Sequence, residues 1–164
     1  LLSAQEARSL FDGKSLDGWE SRPEDSQWWT VRDGVIAGGD PQLAQTIPHN
    51  VFLATTEAFE DFELMLKIRL RGQEGFVNSG VQILSTRVEN SFEMSGYQID
   101  AGEGWWGKLY DESRRNKVIA EPKDTAAVAA AVKKDDWNEY RIVARDGHIQ
   151  AWINGVATFD YTEQ

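Results

Sequence analysis

The chain has 164 residues, 41% of them hydrophobic, which suffices for one sizeable core and makes one domain the expectation. Seventeen Lys and Arg face 27 Asp and Glu, and the net charge of -10 argues against a nucleic-acid backbone or an anionic membrane surface as partner. The absence of cysteine removes disulfides and thiolate chemistry, and two histidines, His49 and His148, are too few for a multi-histidine metal centre, so any metal would have to be a hard cation held by carboxylates and carbonyls; no metal site and no cofactor are expected.

The opening LLSAQEARSL has no basic segment leading into a long apolar core, so it does not read as an intact signal peptide. No apolar run of about 18 residues predicts a membrane span. Asp33-Gly34, between WTV and VIA, is a two-residue hairpin signal, and His49, in IPHN, falls in a loop. In FELMLKIRLRG, Leu64, Leu66, Ile68 and Leu70 share one face, with Glu63, Met65, Lys67, Arg69 and Arg71 on the other, the pattern of a half-buried strand. GVQIL repeats it with Val81 and Ile83 against Gln82 and Leu84, and GYQIDA with Tyr97 and Ile99 against Gln98 and Asp100. TAAVAAAVKK, residues 125–134, alone has helical propensity, as a short surface helix or a loop. EYRIVA, HIQAWI and VATFDY, joined by Asp146-Gly147 and Asn154-Gly155, predict a three-strand meander. Many short strands, Gly-rich turns and at most one short helix make the fold all-β, a two-sheet antiparallel sandwich or jelly roll.

A sandwich needs one face of each sheet for its core, which leaves the opposite faces to solvent or a ligand. Those positions carry Lys67, Arg69, Gln82, Gln98 and Asp100, and the strand that His148 begins adds Gln150 and Trp152. The stretch SGYQIDAGEGWWGKLYDESRRN, residues 95–116, gathers Trp105, Trp106 and Tyr110 with Gln98, Asp100, Asp111, Glu112, Arg114 and Arg115. Rings that stack on sugar C–H faces, set among hydrogen-bonding groups without a basic field, point to a carbohydrate ligand. Each residue also has an ordinary role, since a tryptophan can anchor a core and DESRR can form a surface ion-pair network. The glycines at 96, 102, 104 and 107 match neither a dinucleotide fingerprint nor a Walker loop, and DAGEG is only faintly like a calcium loop. For acid–base work the candidates are Asp100, Asp111, Glu112 and His148, with Arg114 or Arg115 to hold an oxyanion or orient a carboxylate.

The blocks LFDGKSLDGW (10–19), WTVRDGVIAGG (29–39), FEDFELMLKIRL (59–70), NSGVQIL (78–84), SGYQIDAGEGWWGKLYDESRR (95–115) and WNEYRIVARDGHIQAWING (137–155) occur in order over nearly the whole chain. Together they resemble the 3-keto-disaccharide hydrolase family. The resemblance implies a concanavalin A-like jelly roll of two curved antiparallel sheets, in agreement with the strand pattern. It also implies cleavage of glycosides already oxidised at C3, in a periplasmic or secreted protein. Similar members continue past ATFDYTEQ with a further turn and strand, so residues 1–164 are expected to form a single jelly-roll domain without its last C-terminal strands.

A ketone at C3 acidifies the hydrogen on C2, so a base can remove it while the C1 substituent leaves by β-elimination, with water added afterwards. Asp100 or Glu112 is then the expected base, Arg69, Arg114 or Arg115 the group at the enolate oxygen, and His148 or the second carboxylate the acid at the leaving oxygen. Strand alternation favours Asp100, which shares a face with Gln98 and Gln82, whereas Glu112 and the arginines fall on a loop. Asn78 reads as a turn-capping residue. The alternative is a non-catalytic, lectin-like carbohydrate-binding module using the same rings and amides. A third class is an interaction domain of a larger cell-surface protein.

Overall fold

The computed structural model describes residues 7–73 and 75–163, which form two compact units, one ending at Ala58 and the other beginning at Phe59. The first contains β1 (Trp19–Glu20), a 3-10 helix (Pro23–Trp28), the hairpin of β2 (Trp29–Arg32) and β3 (Val35–Gly38), and β4 (Ala54–Thr55), which pairs back with β1. Asp33 and Gly34 turn the hairpin with φ of 49° and 75°, the left-handed pair that a type I′ turn requires. His49 Nε2 lies 2.8 Å from Oδ1 of Asp25, which is 2% exposed, so the loop histidine supports a buried carboxylate.

The second unit runs through β5 (Phe62–Ile68), β6 (Asn78–Arg87), β7 (Met94–Gly102), β8 (Leu109–Glu112), β9 (Val118–Ala120), α1 (Thr125–Ala131), β10 (Asn138–Arg145), β11 (His148–Ile153) and β12 (Val156–Thr162). Its strands form two four-stranded antiparallel sheets. A front sheet has the order β6-β7-β8-β9 and a back sheet the order β12-β11-β10-β5. Period-two alternation sends Ile83, Tyr97, Ile99, Ala101 and Leu109 inward from the front, and Tyr140, Ile142, Ala144, Ile149, Ala151, Ile153 and Phe159 inward from the back. The result is the jelly-roll sandwich that the strand pattern implies, with the expected β10-β11-β12 meander.

Two local features differ from the simplest alternation. Leu84 adopts φ of 50° where the β6–β7 register shifts between Ile83 and Thr86, so a bulge interrupts the strand end that GVQIL was expected to continue. The helix is shorter than TAAVAAAVKK: the Asp124 side chain caps it by accepting from the Ala127 amide at 2.9 Å, and it ends at Ala131. Val128 is buried in the core, so the segment is anchored rather than lying free on the surface. Among the described residues no helix is long and apolar enough to cross a membrane.

Candidate active site

Directly opposed residues in an antiparallel sheet project from the same face. Asp100 on β7 opposes Gly80 on β6, and its amide donates to the Lys108 carbonyl at 2.9 Å, which extends the row to Lys108. The next row is Gln82, Gln98 and Tyr110, and beyond it Gly96 opposes Glu112 on β8. The face of the front sheet turned away from the core therefore holds two carboxyls, two amides, a phenol and an ammonium. Gly80 and Gly96 contribute bare backbone between them.

Gly80 has a steric reason. A Cβ there would lie 2.7 Å from Cγ of Gln98, whose side chain crosses that space and donates from Nε2 to Asp100 Oδ1 at 2.7 Å. Asp100 is 2% exposed. Burial pushes its carboxyl up to about 7, the Gln98 hydrogen bond pulls the other way, the Glu112 charge adds to the rise and Lys108 opposes it. Among the described residues its Oδ2 has no hydrogen-bond partner, and neither does Oε1 of Gln82, whose amide nitrogen is used on the Met94 carbonyl at 2.8 Å. Two buried polar atoms on one face are thus left without a hydrogen bond among the described residues.

Its neighbours are fixed by packing. Tyr140, a fully buried residue of β10, donates across the sandwich to the Asp100 carbonyl at 2.8 Å, and the Gly107 amide donates to the same oxygen at 3.0 Å. Residues 102–108 form a tight turn, with the Trp105 and Trp106 amides bonded to the Gly102 carbonyl and the Lys108 amide to that of Trp105. Gly107 fits it at φ of 76°, where a Cβ would strike Thr158 Cγ2 at 2.6 Å. Lys108 Nζ is held 3.2 Å from Glu121 and 5.3 Å from the centre of the Trp105 ring. Burial, then the Glu93 charge, raise the Glu112 carboxyl, and burial with the charges of Glu112 and Asp100 raises the Tyr110 phenol.

Asp100, Glu112, Gln82, Gln98 and Tyr110 are brought to one face, with Trp105 beside Tyr110 at 6.2 Å between ring centres. Glu112 belongs to strand β8, a correction to its expected place on a loop. The remaining candidates lie elsewhere. Trp106 packs against the core. Asp111 points inward and is fully buried, accepting from Arg114 Nε at 2.6 Å and from Arg115 Nε. Burial alone would raise the Asp111 carboxyl, but the two guanidinium groups outweigh it and hold it below the usual range. Arg114 also lies over the Tyr97 ring at 4.3 Å, and Arg115 donates to both Glu163 oxygens at 2.8 and 2.9 Å. Both arginines are therefore engaged away from Asp100.

His148 and Arg69 belong to the back sheet's side of the sandwich. His148 Nε2 lies 2.6 Å from Asp160 Oδ1 on the outer back face, and Arg69, just past β5, lies 4.8 Å from the Trp137 ring centre. Lys67 is likewise on β5, so the polar residues read as one face are divided between two sheets. Lys108 escaped the sequence reading. Its signal was the same alternation, two residues before Tyr110, which becomes visible once WWG is known to be a turn. Among the described residues no group of three or more His, Asp or Glu side chains is arranged to hold a metal ion.

Residues 6–164 match the family described as the 3-keto-alpha-glucoside-1,2-lyase-like domain. No curated protein matches the chain. Two crystal structures of candidate glycosyl hydrolases from Parabacteroides distasonis share its fold. One has a TM-score of 0.64 at 20% identity, covering 94% of this chain and 71% of that one. The other has 0.58 at 22%, covering 88% and 66%.

Proposed function

The chain belongs to the 3-keto-alpha-glucoside-1,2-lyase-like domain family, and from that premise we propose that it cleaves 3-keto-glycosides at C1, with Asp100 as the base that takes the C2 proton. The observation that carries this reading is a buried carboxyl with one oxygen held by Gln98, the other unpartnered, and a lysine across the strand pair. A base whose value lies near 7 combines a useful ionised fraction at neutral pH with real basicity.

The electron pair of the C2–H bond becomes the enolate of the C3 ketone, and Lys108 faces the developing oxygen charge. The enolate collapses to a C1–C2 double bond and reforms the C3 carbonyl as the C1–oxygen bond breaks. The Tyr110 phenol, kept protonated by burial and by neighbouring carboxylates, gives its proton to the leaving oxygen. Water adding hydroxide to C1 and a proton to C2 completes net hydrolysis. Gln82 Oε1 and Glu112 accept sugar hydroxyls.

The test is mass-spectrometric detection of products from 3-keto-trehalose, 3-keto-lactose and their unoxidised parents, with wild type and Asp100→Asn. Cleavage of the keto forms alone, rising with pH through about 7 and reduced about 10²-fold or more in the variant, is expected. Equal cleavage of the parents, or full activity in the variant, would overturn the assignment. Saturable glycan binding without any turnover would establish the lectin-like module instead.

A further inference from the structure

Phe76 is 75% exposed, the most exposed large hydrophobic side chain among the described residues. Isolated exposed rings are ordinary on protein surfaces. This one meets Trp105 edge-on, with ring centres 6.1 Å apart at 83°, and Trp105 meets Tyr110 at 6.2 Å and 72°. The three rings make a continuous corner that starts on the same sheet face as Asp100, in the row next to it, and runs outward. The Trp105 part of the corner is preorganised, because the 102–108 turn is bonded to itself and packed through Gly107 on Thr158. Lys108 lies over the Trp105 ring with Glu121 3.2 Å from its ammonium, which leaves Phe76 as the open apolar surface.

We propose that the Phe76–Trp105–Tyr110 corner is the leaving-group subsite and that it seats a flat apolar ring face, supplied either by an aryl aglycone or by the C–H face of a second sugar. The inference rests on the elimination described above, in which Tyr110 hands its proton to the leaving oxygen. That oxygen is then at the root of the corner, and the group attached to it extends over Trp105 and Phe76. Mutually perpendicular rings offer one face and one edge to an incoming ring, the arrangement aromatic contacts prefer.

Specificity constants for methyl, 4-nitrophenyl and trehalose-type 3-keto-glucosides test it, measured with wild type, Phe76→Ala and Phe76→Tyr. Phe76 is so exposed that its truncation leaves no core cavity. In Phe76→Ala, kcat/KM for a ring-bearing substrate should fall about tenfold more than that for the methyl compound, and Phe76→Tyr should restore it. A selective loss with the nitrophenyl substrate alone identifies an aryl aglycone, and one with the trehalose-type substrate identifies a sugar face. Equal losses on all three substrates, or none, overturn the subsite. If wild type cleaves nothing, the elimination fails and calorimetry decides the subsite separately. About tenfold tighter binding of the nitrophenyl than the methyl ketoglucoside, abolished in Phe76→Ala, sustains it, and equal binding removes it.

Discussion

Burying an ionisable carboxyl at the centre of a site costs stability, and Asp100→Asn measures that cost. The ordinary aspartate value is 3.8 and Asp100 is pushed up to about 7, chiefly by burial. The folded state therefore binds the proton more tightly than the unfolded chain. The stability this confers is fully present below about 3.8, declines as pH rises and is gone above about 7. A gap of about three pH units at about 1.36 kcal/mol each amounts to about 4 kcal/mol. Asparagine keeps the acceptor for Gln98 and carries no titrating proton, so its fixed packing effects cancel between pH values. Urea unfolding at pH 4 and pH 9 should show the variant gaining about 4 kcal/mol over wild type across that interval, while activity is lost. A difference that stays constant with pH, or shrinks toward alkaline pH, would refute the desolvated carboxyl.

Three further outcomes follow from its partners. Gln98→Leu removes the hydrogen bond that holds Asp100 down, so the rising limb of the kcat/KM–pH profile should move to higher pH; no movement would show that Gln98 does not engage the reactive form. Tyr140→Phe deletes one of two donors to the Asp100 carbonyl and should cost about 1 kcal/mol in urea unfolding, with retained secondary structure by circular dichroism. Glu163→Gln addresses the cluster on the other side of β8, where hydrogen bonds from Tyr97, Arg115 and Tyr161 hold the Glu163 carboxyl down to about 2. That contribution is present above about 4.5 and lost as pH falls through about 2, so the variant's lower melting temperature at pH 7 should converge on wild type near pH 2.

What the sequence made legible was local. GYQIDA and GVQIL fix which residues share a face because the strand period is two, so Gln82, Gln98 and Asp100 fall together, while the Asp-Gly and Asn-Gly turns fix the β2–β3, β10–β11 and β11–β12 pairings. Which sheet a strand joins is not local. β5 pairs with β10, some seventy positions on, which carries Lys67 to the back sheet. His148 follows β11 to the same sheet. LYDE hid its strand character because Asp111 occupies an inward position that alternation reserves for an apolar residue. Arg114 and Arg115, three and four positions later, satisfy that carboxylate and make the exception possible.

The same alternation binds the site to the core. Along β7, Tyr97, Ile99 and Ala101 pack inward while Gln98 and Asp100 face the candidate site, so a one-residue slip would bury the amide and carboxyl in the core and turn the apolar side chains out. The Tyr140 bond to the Asp100 carbonyl opposes that slip from inside the sandwich, using a backbone group and leaving the side chain to Gln98 and the site. Gly80 opposes it from the other face, since only a residue without Cβ lets Gln98 reach Asp100. A carboxyl whose ionisation is disfavoured by about 4 kcal/mol stays positioned because the Tyr140 and Gly107 bonds to its backbone carbonyl do not depend on its charge. That separation lets Asp100 change protonation during a reaction without loosening the strand that carries it.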